Sequence, residues 1–343
     1  MNIDFIVPGS IAQLTGGYIY DSNIIDGLQT LGFNVKIVEL PGLFPFVDEE
    51  AKNAALRCSL DCPTIIDGLA LPAFISHPRQ KYLALIHHPL CKENGLDESQ
   101  QKLLFDIEQK MLQNAHHIIV TSHFTREELK KLYATAHHDI SVVCPGNTPK
   151  SILPYIDTPQ KIELLCVANV CQRKGHDILL KALQNLGDFS WHLTCVGNLQ
   201  RDPSTVRHVQ DLIAKFQLES RVTLTGELSE QELQKKYAKA HVFVLASYYE
   251  GYGMALTEAI NYGLPVVSTT GGAIPHVLGE SALLVTPGNP QELAAALSKV
   301  ISSPQARSDL RDKALQKRQE LPSWMDSSTE FKQIIQKEYN VVF

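Results

Sequence analysis

HVFVLASYYEGYGMALTEAINYGLPVVSTT, residues 241–270, is the stretch on which the reading of this chain turns. It opens with a short apolar run, 241–247, whose valines and phenylalanine predict a buried strand. After Tyr248 and Tyr249 the backbone must turn; Gly251 and Gly253 give it the freedom to do so and let the main chain approach a ligand closely. Residues 254–262 then predict a helix, closed by Gly263 as a C-cap and by Pro265, before PVVSTT resumes as a strand. Glu250 therefore lies in the loop at the carboxyl end of a strand, and Glu258 lies on the helix that follows.

A strand, a glycine turn and a helix N-terminus together favour an anion, because unpaired backbone N–H groups and the helix dipole point at whatever binds there. Ionised carboxylates only accept hydrogen bonds, so a molecule rich in hydroxyl donors suits the two acids beside such a site. The plainer alternative makes Glu250 a solvated loop acid and Glu258 a helix-surface residue.

The same alternation runs outward in both directions. Upstream, apolar strand-like runs at 3–8, 35–40, 64–68, 82–88, 117–122 and 141–145 alternate with helical patterns at 22–31, 98–112 and 125–133. A proline-rich stretch of weak periodicity, 145–161, reads as a linker. Beyond it IELLCVA, WHLTCVG, RVTLTG, VFVLAS, PVVSTT and ALLVTP alternate with helices near 177–186, 205–216, 231–240, 254–262 and 291–301. Such alternation implies parallel βαβ units with helices on both faces. The fold class expected is α/β, two Rossmann-like doubly wound domains facing a cleft, the usual ligand position in this architecture. Their expected bounds are 1–154 for an acceptor-side domain and 155–325 for a donor domain, with a terminal helix in 326–343 returning to the first.

A length of 343 residues suits two domains, and 44% hydrophobic with 20% charged residues fits a soluble globular chain. No apolar run is long enough to span a bilayer, and the N-terminus lacks the pattern of a secretory signal. Seven cysteines, odd in number and without a CxxC pair, point to a reducing cytoplasm. With a net charge of −6 and no basic stripe interleaved with aromatics, nucleic-acid binding lacks its electrostatic footprint. No HExxH or similar metal-ligand pattern occurs, and the histidines outside the strand-end pair, His116, His117, His137 and His138 among them, read as structural or exposed.

Other residues earn attention by position. Arg173 and Lys174 lie in a strand-to-helix loop, where a planar fork and a compact point charge can neutralise a diphosphate; otherwise they are a solvated surface pair. A diphosphate leaving group needs a metal ion or fixed cations as its charge builds, and no Asp-x-Asp is present, so the cationic, metal-free solution is expected. Gly16 and Gly17 follow the first strand and precede a helix, which suits either close approach to phosphate or an ordinary turn. His87 and His88 end a strand, and alternation sends their side chains to opposite faces.

Taken together these motifs resemble the retaining GT-B glycosyltransferases, family 4 in particular, over nearly the whole chain. EGYGMALTE resembles the E-x7-E signature, ELLCVANVCQRKGHDILLKAL the first strand, loop and helix of the donor domain, TGGY the glycine loop near the donor phosphates, and LIHHPL the strand end carrying an active-site histidine. The resemblance implies a hexosyltransferase-type enzyme that moves a sugar from a nucleotide-diphosphate sugar to a hydroxyl acceptor with retention, without metal or cofactor. It assigns the donor sugar to Glu250, the ribose to Glu258, catalytic roles to His87, Glu250, Arg173 and Lys174, and donor contacts to Gly16, Gly17, Asn169, Arg173, Lys174 and the run Gly251, Tyr252, Gly253, Met254. Two departures stand out. Asn169 occupies a place where many members have arginine, leaving Arg173 to supply the phosphate contact, and PGN at 145–147 replaces an NGV-like run. A nucleotide-sugar epimerase of similar fold and a non-catalytic nucleotide-sugar binder are the competing readings; a dehydrogenase is disfavoured because no GxGxxG follows the first strand. The apolar PGLFPF, 41–46, can pack in the core, line an acceptor groove for a saccharide, small molecule or lipid-linked acceptor, or touch a membrane peripherally.

Overall fold

The computed structural model describes residues 1–78, 81–93, 95–133, 139–150, 152, 160–187 and 189–340. The chain divides into two compact units, Met1–Gly146 with Pro322–Phe343, and Asn147–Leu321. The division anticipated at 154 and 155 falls outside the described residues, as do His137 and His138.

Unit 1 runs β1 (Asn2–Pro8), α1 (Gly16–Thr30), β2 (Asn34–Leu40), α2 (Glu49–Leu56), β3 (Thr64–Asp67), β4 (Leu83–Ile86), α3 (Glu98–Asn114), β5 (His117–Val120), α4 (His123–Tyr133) and β6 (Ile140–Val142). The strands form one sheet in the order β2-β1-β3-β4-β5-β6, every pair parallel. The inner strands are buried on both faces, as LALI in β4 and HIIV in β5 illustrate, which is why they read as unbroken apolar runs rather than alternating ones.

Unit 2 runs β7 (Ile162–Val167), α5 (His176–Leu183), β8 (Trp191–Val196), α6 (Pro203–Lys215), β9 (Val222–Leu224), α7 (Glu230–Lys239), β10 (Val242–Leu245), α8 (Met254–Asn261), β11 (Val266–Thr269), α9 (Ile274–Leu278), β12 (Ala282–Val285), α10 (Pro290–Ser302) and α11 (Pro304–Arg318). Its parallel sheet has the order β9-β8-β7-β10-β11-β12. The last helix, α12 (Trp324–Tyr339), packs on α1 in unit 1, held by a capping box at Ser323 and a Ser327 Oγ hydrogen bond to the Cys144 carbonyl at 2.8 Å.

Both units are doubly wound, and in each the strand order reverses once: between β1 and β3 in unit 1, between β7 and β10 in unit 2. Loops leaving the carboxyl ends of the two strands at a reversal diverge to opposite faces, opening a crevice where ligands bind in such sheets. The elements flanking these two reversals carry the site residues. Gly16 and Gly17 are a correction to the expected picture. They form the first turn of α1 itself rather than a loop ahead of it, because the helix starts directly after Thr15.

Candidate functional site

In unit 2 the loops after β7 and β10 meet at the reversal. The β7 loop forms a short 3-10 turn, Gln172–Lys174, and then enters α5 through Gly175, whose φ of +64° lies in the left-handed region. A Cβ at Gly175 would strike the Ala246 carbonyl at the end of β10, so both conformation and space demand glycine. The two loops are joined in both directions. The Tyr248 N–H donates to the Arg173 carbonyl at 2.7 Å, and Arg173 Nη1 donates to the Tyr249 carbonyl at 2.8 Å.

That joint delivers three charged side chains to one place. Lys174 Nζ lies 2.6 Å from Glu250 Oε1, and Arg173 Nη1 lies 3.6 Å from Oε2. Ser247 Oγ donates to the same Oε1 at 2.6 Å. Glu250 is only 5% exposed, which excludes the solvated-loop reading. Burial alone would push its carboxyl upward; the Lys174 and Arg173 charges, with hydrogen bonds from Lys174 and Ser247, outweigh it and hold the group below the usual carboxylate range. From the other side the Ala273 N–H, following β11, donates to the Glu250 carbonyl at 2.8 Å and fixes the loop's backbone.

Glu258 has different neighbours. It sits on α8, half-buried rather than on the surface, and burial raises its pKa while a hydrogen bond from Tyr237 and the Lys150 charge draw it back. Gly253 heads α8 with a φ of +99°; Tyr252 beside it is buried, and Gly251 and Met254 are half-buried. The motif thus holds one carboxylate firmly ionised and one biased toward its proton, the two served by different partners. Asn169 is occupied locally: its Oδ1 accepts the Asn198 N–H at 3.0 Å, tying the β7 loop to the β8 loop.

Unit 1 builds its cluster at its own reversal. His87, directly after β4, turns Nε2 to Asp21 Oδ1 on α1 at 3.1 Å and to Asp67 Oδ2 at the end of β3 at 3.2 Å. Both aspartates are buried, and Asp21 Oδ2 has no hydrogen-bond partner. Burial would lower the imidazole pKa, but the two carboxylates prevail and hold His87 protonated. Burial also raises Asp21, in spite of His87. Gly17 leaves room for the His87 ring: a Cβ there would sit 3.3 Å from ring Cδ2, whereas Gly16 faces open space. His88 pairs instead with Glu93, so the two histidines have separate partners.

Sequence reasoning missed Asp21, Asp67, Ser247 and Gly175 as parts of these clusters. Gly175 and Ser247 stood beside residues already singled out, and Asp67 closed a strand. Asp21 carried no signal, because nothing in a helix's second turn announces a histidine 66 residues away.

The fold is that of the GT-B glycosyltransferases. A sucrose-phosphate synthase from Thermosynechococcus elongatus superposes with a TM-score of 0.85 at 21% identity, over 99% of each chain. Anabaena HepE in complex with UDP-glucose does so at 0.75 with 15% identity, over 98% of this chain and all of that one. Residues 161–303 match the family described as glycosyl transferases group 1. The MMP alpha-(1->4)-mannosyltransferase of Mycolicibacterium hassiacum is 24% identical over 270 residues, 74% of this chain and 65% of that protein. The chain spans between 39% and 65% of the length of the first curated relatives it matches. No helix among the described residues is long and apolar enough to cross a membrane.

Proposed function

We propose that the chain is a retaining hexosyltransferase that moves a sugar from a nucleotide-diphosphate donor to a hydroxyl acceptor without a metal ion. The observation that carries this reading is the cluster of Lys174, Arg173 and Glu250 at the strand reversal of unit 2, where two fixed cations outnumber one buried carboxylate. A leaving diphosphate gathers negative charge in the transition state, and preorganised cations stabilise it without reorganising. Glu250, ionised and fixed by its loop, accepts hydrogen bonds from donor-sugar hydroxyls; Glu258 does the same for the ribose. Gly251, Tyr252, Gly253 and Met254 bring backbone to the sugar and diphosphate. Protonated His87 donates to the sugar or the acceptor.

The commitments of Glu250 favour front-face displacement. A covalent double displacement needs a carboxylate free to attack the anomeric carbon, and both oxygens of Glu250 are engaged by cations and a hydroxyl. The leaving phosphate then takes the acceptor's proton. UDP-glucose is bound by a neighbour in fold, HepE, which supports a nucleoside diphosphate sugar as the donor class.

A thermal-shift screen of uridine, guanosine and adenosine diphosphate sugars without added magnesium or manganese tests the donor site, since a ligand of the native state raises its stability. The expected result is a rise with one base that needs no added magnesium or manganese; a rise that requires either would overturn metal independence. Product NMR should then show the donor's anomeric configuration. Inversion would sink the retaining assignment, an epimer appearing without acceptor would favour the epimerase, and binding without turnover across an acceptor panel would favour the binder.

A further inference from the structure

Beneath the donor loop lies a second cluster that the transfer reaction does not use. Cys166 on β7 and Cys195 on β8 are register partners in the parallel pair, and His176 is the first residue of α5. All three are buried, the most exposed at 4%. One ligand atom from each lies within 4.8 Å of the other two, and Cys166 Sγ is 3.8 Å from His176 Nε2. The other ring nitrogen, Nδ1, has no hydrogen-bond partner.

An imidazole buried for packing alone is a poor choice. It takes a polar ring out of water and recovers little where one nitrogen meets only sulfur and the other meets nothing, so an apolar side chain of similar size would serve better. Two thiols and an imidazole converging on one point are the ligand set of a soft or borderline cation; hard cations such as magnesium prefer oxygen. Charge selects among the thiophilic ions. A divalent ion bound by two thiolates and a neutral imidazole is electrically neutral, the form that a buried site tolerates.

We infer that Cys166, Cys195 and His176 form a structural zinc(II) site. Binding makes two zinc–sulfur bonds and one zinc–nitrogen bond, leaves the fourth tetrahedral position to a water molecule, and releases the two thiol protons to solvent. The site ties the start of α5 to two strands. Because His176 follows Gly175 directly, the bound ion also braces the turn that presents Arg173 and Lys174. It acts on the protein's scaffold and does not depend on which donor, or any donor, is used.

The test uses the full untagged chain, purified under reducing conditions. Elemental mass spectrometry should find one zinc per chain. After chelation, cobalt(II) titration should give a thiolate-to-cobalt charge-transfer band that saturates at one equivalent, and zinc should raise the melting temperature of the stripped protein. Cys166→Ser and Cys195→Ser should each abolish the band, while Cys58→Ser, at a half-buried thiol of unit 1, should leave it unchanged. Should the serine variants fail to fold, the wild-type titration still decides. Reduced wild-type protein without stoichiometric zinc and without the charge-transfer band overturns the inference, as does a band that survives both serine substitutions. Recovery of the two thiols as a Cys166–Cys195 disulfide from metal-free protein under reducing conditions overturns it too.

Discussion

The two units place inverse charge clusters at the same point of their folds. Unit 1 surrounds one imidazole with two carboxylates, Asp21 and Asp67 around His87; unit 2 surrounds one carboxylate with two cations, Lys174 and Arg173 around Glu250. Each sits where the strand order reverses, although the reversal follows β1 with one strand on its first side in unit 1 and follows β7 with two in unit 2. The shared position comes from backbone geometry, since a reversal opens a crevice whatever side chains line it. The inverted charge comes from sequence alone: unit 2 presents an excess of cations at its reversal and unit 1 an excess of carboxylates.

Breaking the unit 2 cluster should have the largest effect. Lys174→Met leaves Glu250 buried with the Ser247 hydroxyl and the more distant Arg173, and losing one member of a buried pair costs about 3 kcal/mol. Urea denaturation should register that loss, and donor affinity by titration calorimetry should drop at least about tenfold, the equivalent of ~1.4 kcal/mol. Unchanged donor affinity would remove the phosphate role from the cation.

Gly175→Ala comes next. It keeps every charge but forces a side chain into left-handed backbone and against the Ala246 carbonyl, so stability should fall by roughly 2 kcal/mol. If the cluster works through loop geometry, donor affinity falls as well; affinity preserved in a destabilised protein would show that charge alone suffices.

The pH dependence separates the units by sign. His87 is held protonated above its ordinary 6.5, so its contribution is full below pH 6.5 and is lost as pH rises through the elevated folded value. Glu250 is held below its ordinary 4.5, so its contribution is full above pH 4.5 and is lost as pH falls through the depressed folded value. Across a series of denaturation curves, His87→Gln should therefore flatten the alkaline limb of stability against pH and Glu250→Gln the acid limb. Changes on the same limb would dissolve the contrast.

Ser247→Ala should do least. It removes one hydrogen bond to an oxygen that Lys174 also holds, for a loss of about 1 kcal/mol in the same denaturation assay. A loss as large as that of Lys174→Met would make the hydroxyl, rather than the ion pair, the main support of Glu250.

Much of this was legible beforehand because it is local. Among the described residues each of the twelve strands coincides with an apolar run; the inner strands, covered on both faces, have no polar side to interrupt the pattern, whereas the edge strand β2 carries exposed Lys36 and Glu39. The helices that escaped notice have reasons. α2 and α11 are rich in polar residues with a narrow buried stripe, and α9 spans five residues, too few to show a period. At the site, the glycine turn and the Arg173-Lys174 loop could be read from their neighbours in the chain. That Glu250 would be buried could not, because a loop glutamate reads as solvated unless its cations are in view.

By itself the sequence determined the repeating βα pattern, the two halves and the strand ends where the candidate side chains emerge, because periodicity reports which faces of each segment avoid water. Tertiary structure alone decided the strand order in each sheet and the partners of the charged groups. Lys174 and Glu250 are 76 residues apart, and Asp21 and His87 are 66 apart. Only folding closes those distances, and only burial then makes such pairs strong enough to fix which groups carry charge.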